Sequence, residues 1–137
     1  MPQGSLDYAA LCEAIAALPP EQRRRLVEEA LAHGYAAKDL AEIMAVSPPA
    51  VSRYAHGSLA PSPGAICRLI LGIDEDTRRK LLRVAARQLW SLLEAVLKSM
   101  EPLDAVELAE EIADRVAELL ADAQAPRREK RWQGSPV

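Results

Sequence analysis

An all-α fold is the prediction of this sequence, and three observations carry it. Half of the residues are hydrophobic, yet aromatics make up only 4% and phenylalanine is absent. The core must therefore be built from Leu, Ile, Val and Ala, and the dominant Ala and Leu are both good helix formers. Apolar residues recur at spacings of three and four, with no alternating β-branched run to suggest a strand. Proline, serine and glycine punctuate the chain where helices would begin and end. A chain of 137 residues has room for one compact domain and an extension.

The elements follow in order. Ser5 can cap a first helix that carries Tyr8, Leu11, Ile15 and Leu18 on one face. Pro19-Pro20 ends it and opens a second helix, with Glu21 at its positive end and Leu26, Val27, Ala30 and Leu31 as its buried stripe. Gly34 is the expected C-cap. Arg23, Arg24 and Arg25 cannot all face the core, so they either form a solvated face or contact phosphates. Ala36 to Met44 is helical again, with Leu40, Ala41 and Met44 apolar. A tight turn at Ala45-Val46-Ser47 leads into a helix opened by Ser47 as N-cap and Pro48 as first residue, and Gly57 ends it. The same grammar recurs at Ser62-Pro63, before a helix with Ile66, Leu69 and Ile70 inward and Gly72 at its close. Asp74 caps a long helix that nothing breaks until Pro102, and its stripe includes Leu82, Ala85, Leu89, Leu92, Leu93, Val96 and Met100. A last amphipathic helix runs from about Leu103 to Ala123, and Pro126 stops it.

Charge is distributed unevenly. The net charge is −3, but residues 1–100 carry 12 Lys/Arg against 11 Asp/Glu, residues 101–126 carry 1 against 8, and residues 127–137 carry 4 against 1. The acidity is confined to one late segment, so the rest of the chain can still face a polyanion. Cys12 and Cys67 have no metal-ligand spacing, and a disulfide cannot be inferred from one pair; buried free thiols are expected. No apolar run is long enough to span a bilayer and no signal region opens the chain, so a cytoplasmic location is expected. The absence of asparagine with abundant Arg and Glu points to a thermophilic source.

Residues 37–54, Ala-Lys-Asp-Leu-Ala-Glu-Ile-Met-Ala-Val-Ser-Pro-Pro-Ala-Val-Ser-Arg-Tyr, resemble the helix-turn-helix of the phage-repressor-like (Cro/C1, or XRE) transcriptional regulators. The following Gly57-Ser58-Leu59-Ala60-Pro61-Ser62 is similar to that family's glycine, short linker and Pro-Ser helix start. The resemblance covers roughly residues 20–85. It implies a lambda-repressor-like helix-turn-helix domain, here with an extra N-terminal helix and two long C-terminal helices. The segments would be a helix over 1–19, the DNA-binding core over 20–73, dimerising helices over 74–125 and a basic flexible tail over 126–137. Two departures stand out. The family's turn glycine is Ala45, and the entry to its second motif helix, usually polar, is Pro48-Pro49.

The motif assigns its own groove face. Ala41 is small where the two helices cross, Val46 plugs the turn, and Val51 and Tyr54 point inward three residues apart. That leaves Pro49, Ser52, Arg53 and His56 at i, i+3, i+4 and i+7 as the outward stripe, which in a docked helix-turn-helix lies against the major groove. Arg53 is the candidate for a bidentate bond to guanine. Ser52 would reach a base edge or a phosphate, Pro49 a thymine methyl, and His56 a phosphate or the last carbonyls. Lys38 fits a backbone phosphate. Ser47 and Pro48 complete the expected DNA-binding set at the helix entry.

The partners expected are double-stranded DNA and a second copy paired through residues 74–124, with no membrane. The alternative is that the two C-terminal helices fold over the N-terminal part as a monomer. The Arg127–Arg131 run is either a solubility feature or a DNA-backbone arm. No Ser/His/Asp set, metal-ligand cluster, glycine-rich phosphate loop or carboxylate pair is present, so no enzyme, metal or cofactor is expected. Two other functions stay open: an antitoxin-type DNA binder that also holds a protein partner, and a plasmid or chromosome maintenance DNA binder.

Overall fold

The computed structural model describes residues 7–125, and within them all regular structure is helical. The expected Ser5 cap and the basic tail over residues 126–137 lie outside the described residues. The helices are α1 (Tyr8–Ala16), α2 (Pro20–Ala32), α3 (Ala37–Met44), α4 (Pro48–His56), α5 (Pro63–Gly72), α6 (Glu75–Lys98) and α7 (Pro102–Gln124).

Helix starts follow from local chemistry. Asp7 caps α1, its Oδ1 accepting from the Ala10 N–H at 3.1 Å. Ser47 caps α4 by accepting from Ala50 N–H at 3.3 Å, and Ser62 caps α5 by accepting from Ala65 N–H at 3.1 Å. In both, proline stands at the first helical position, where its missing N–H costs nothing. Asp74 Oδ2 accepts from Thr77 N–H at 3.0 Å at the start of α6.

Two glycines act at helix ends for different reasons. Gly57 follows α4 with φ +83°, a left-handed conformation that lets its N–H reach back to Tyr54 O. Gly72 needs no unusual backbone. A Cβ there would lie 2.9 Å from Ile43 Cγ2, so glycine lets α5 approach α3 closely.

Two compact units divide the chain at Leu92/Leu93, inside α6. The core lies in the first unit. Leu26, Leu40, Met44, Val51, Ile66 and Leu69 are fully buried there, with Ile15 and Leu18 at its α1 side. Tyr8 is exposed, so the inward face of α1 begins one turn later than its apolar spacing suggests. The buried face of α6 is Thr77, Leu81, Ala85 and Gln88. The expected stripe contains Ala85 but misses Leu81, because two polar residues share this face. Thr77 is tied to the Asp74 cap, and Gln88 Nε2 donates to Gln22 O at 3.0 Å.

The expectation of free thiols is corrected. Cys12 on α1 and Cys67 on α5 form a disulfide, with Cα atoms 5.3 Å apart. α1 packs along α5 and brings together two cysteines separated by 55 residues in sequence. That separation is why spacing alone is silent.

The second unit, Leu93–Val137, contains the end of α6 and all of α7. α7 has no buried residue, and Leu103, Val106, Val116, Leu119 and Leu120 are exposed. No helix among the described residues is long and apolar enough to cross a membrane.

Candidate nucleic-acid interface

The site is built on the pair α3–α4, which pack against each other across a three-residue connection. Ala45 takes the left-handed conformation, φ 58° and ψ 46°, and is the non-glycine residue among the described ones with positive φ. Its geometry turns the chain sharply enough for Val46 N–H to bond Ala41 O at 2.9 Å. Ala41 is buried beneath the crossing. Arg68 of α5 reaches the end of α3 and donates from Nε to Met44 O at 2.7 Å.

Val51 and Tyr54 anchor α4 inward, at 0% and 4% exposure. Burial pushes the Tyr54 phenol above its ordinary range, with the nearby Arg68 charge partly opposing it. The outward stripe is open: Pro49, Ser52, Arg53 and His56 are all exposed, as are Ser47 and Pro48 at the helix entry and Lys38 on the first turn of α3. Six of the seven residues expected at the site therefore sit on α4 or its cap, and Lys38 alone is on a different helix. α4 contains no acidic residue; the acids of α3, Asp39 and Glu42, are exposed.

Each side chain has a different freedom. The Arg53 guanidinium makes no hydrogen bond or ion pair among the described residues, while its carbonyl accepts from Ser58 N–H at 3.1 Å. His56 Nδ1 is 2.7 Å from Ser52 O, so the ring is held over its own helix with Nε2 outward-capable. Ser47 Oγ is committed to its cap. The start of α4 offers no free amide to an anion. Its first two residues are prolines, Ala50 N–H is held by Ser47, and Val51 N–H bonds Ser47 O at 3.4 Å. A phosphate would have to be met by side chains, not by the helix end.

No protein-family model, curated protein or solved structure matches this chain.

The arginines of α2 correct one expectation. Arg24 is neither solvated nor available to a phosphate. Its Nη1 donates to Tyr54 O at the end of α4 at 2.9 Å, and it pairs with Glu21 at 2.6 Å and Glu28 at 2.9 Å. The bond to Arg24 holds the Glu21 carboxyl below its usual range. Arg23 donates to Pro61 O at 2.8 Å and to Leu18 O at 2.6 Å. These contacts position α4 from behind. No local signal marks them, since each of the bonds to Tyr54 and Pro61 joins residues 30 or more apart. Among the described residues, no group of three or more His, Cys, Asp or Glu is arranged to hold a metal.

Proposed function

We propose that this chain is a sequence-specific double-stranded DNA-binding transcriptional regulator of the lambda-repressor-like helix-turn-helix type, acting as a homodimer and not as an enzyme. α3 and α4 are the motif, and α4 is the helix that enters the major groove. One observation supports this above the others. α4 is anchored by fully covered Val51 and Tyr54 while its opposite, acid-free face leaves Pro49, Ser52, Arg53 and His56 uncovered.

The mechanism follows from what each group has left to offer. The unpaired Arg53 guanidinium presents a planar fork of donors that matches guanine O6 and N7. Pro49 supplies apolar contact for a thymine methyl, and Ser52 a hydroxyl for a base edge or phosphate. Lys38 and His56 Nε2 meet backbone phosphates and fix register. With no free amide at the α4 entry, affinity depends on these side chains and on placing two copies on half-sites about 34 Å apart. A cytoplasmic location belongs to the same reading. A structural disulfide in that compartment is the pattern of hyperthermophilic sources, which the asparagine-free composition also favours.

A second reading is favoured by α7, none of whose residues is buried although Leu103, Val106, Val116, Leu119 and Leu120 are apolar and exposed: an antitoxin-type DNA binder that presents α7 to a different protein. Selection of bound fragments from random duplex DNA tests the first reading. The expected outcome is a two-fold symmetric consensus with half-sites one helical turn apart. Fragments with no shared sequence would overturn it. Recovery of the expressed chain with a small stoichiometric partner would favour the second.

A further inference from the structure

α7 keeps its acids and its apolar residues on opposite faces. Val106, Ala109, Ala113, Val116, Leu120 and Ala123 recur at alternating spacings of three and four, the period of a coiled-coil seam, and all are exposed. Of the seven acids on this helix, only Glu110 borders the seam; the others occupy outer positions. The half-buried residues of the helix, Ala105, Leu108 and Ile112, lie to one side of the seam and not on it. A helix with no buried residue has no packing to offset its ordering cost, and isolated helices are marginal in water.

The order of sizes along the seam identifies what fits it. In chain order the side chains run large, small, small, large, large, small. Reversed, they run small, large, large, small, small, large, so every position meets its opposite. Two α7 helices laid antiparallel therefore set Val106 against Ala123, Ala109 against Leu120 and Ala113 against Val116. Each large side chain then fills the space an alanine leaves. Laid parallel, the same seam sets Leu120 on Leu120 and alanine on alanine, so crowding alternates with voids. A surface complementary to its own reverse fits a second copy of itself.

We propose that α7 pairs antiparallel with α7 of a second copy of the chain through this seam, with the acids of both helices turned outward. This rests on the homodimer of the reading above and names the contact that makes it. The contact uses α7 alone. Its two-fold axis crosses the pair at the level of Asp114 and Arg115, so it closes without any other part of either copy. At the border, Glu110 meets Ala117 of the other copy and not a second acid. Leu119 lies beside Ile112 of the other copy, and the antiparallel helix dipoles attract each other. A contact about 35 Å long and one helix diameter wide, counted on both copies, covers on the order of 1,000 Å². That is the lower bound for a specific pair.

Sedimentation of the full chain without DNA, over a concentration series, tests this. The wild type is expected to dimerise at micromolar concentration. Leu120→Ala sets alanine on alanine twice in each pair and should weaken association at least about tenfold. Val116→Glu/Leu120→Glu should abolish it. The exchange Ala109→Leu/Leu120→Ala restores the match in reverse, and should recover association to within about threefold of wild type. A monomeric wild type, wild-type association in Leu120→Ala or the glutamate variant, or an exchange variant no tighter than Leu120→Ala would each overturn the pairing. So would a monomeric chain that takes up a different protein on α7. A wild-type dimer indifferent to these changes sinks the seam and leaves the homodimer standing. A dimer that obeys them but shows no Arg53-dependent binding of duplex DNA spares the seam and sinks the DNA reading.

Discussion

Ala45 sits where the backbone must turn left-handed between α3 and α4, a conformation that costs an alanine about 1 kcal/mol. Ala45→Gly is therefore expected to raise unfolding free energy by about 0.5–1 kcal/mol in urea titration, part of the relief being offset by a freer unfolded chain. An unchanged or lower stability would mean that the turn is not strained. Asp74 makes a second residue-scale test. The Tyr35 hydroxyl donates to Asp74 Oδ1, and Thr77 adds hydroxyl and N–H contacts, so the carboxyl is held far below the ordinary carboxylate range. A depressed carboxyl contributes stability that is present above its unfolded pKa of about 4 and is lost as pH falls through the folded value. Tyr35→Phe removes the largest cause. The stability gap between wild type and Tyr35→Phe should thus be widest near neutral pH and close only as pH falls below the ordinary carboxylate range of about 4 towards the folded value, as read by urea unfolding across an acid pH series. The same bond raises the Tyr35 phenol, so its own contribution is full below about 10 and fades as pH climbs through the higher folded value.

Helix starts and helix ends differ in how far they could be read from sequence. Ser47-Pro48, Ser62-Pro63 and Asp74 announce their helices because an N-cap is a contact between residues three apart. Gly57 likewise announces the end of α4, but carbonyls near the ends of α3, α4 and α5 are also met by Arg68, Arg24 and Arg78, and the first two reach across 24 and 30 residues. No periodicity encodes such a contact. The outward face of α4 was legible because Val51 and Tyr54 fix it by helical arithmetic, whereas the contact of Arg24 behind it was not. The core face of α6 was half legible: Ala85 belongs to the apolar pattern, but Thr77 and Gln88 are polar and only their hydrogen bonds admit them to the interior. The Cys12–Cys67 bond joins α1 to α5 around a span of 55 residues that includes all of α2, α3 and α4. Reduction should lower unfolding free energy by about 4 kcal/mol on loop-closure grounds. Thermal unfolding with and without reductant checks this, and an unchanged midpoint would show that packing alone holds α1.

At the scale of the whole molecule, the chain separates a covered core from exposed helical faces. The unit Met1–Leu92 holds the core and the α4 stripe, and the unit Leu93–Val137 holds an acidic helix with nothing buried. A net charge of −3 conceals this division, since the acid is concentrated after residue 100 and α4 has none. Binding to a polyanion through α4 is therefore compatible with an acidic chain, and it should weaken steeply as salt rises. The most direct test of the α4 assignment is a mobility shift of wild type, Arg53→Ala and Lys38→Ala on a selected duplex and on unrelated DNA, across a salt series. The account predicts that Arg53→Ala loses about 1–3 kcal/mol on the selected duplex and relaxes preference at one base pair. Lys38→Ala should weaken both duplexes alike and lower the salt slope by about 1. If Arg53→Ala leaves affinity and preference where they were, α4 does not read DNA through this face.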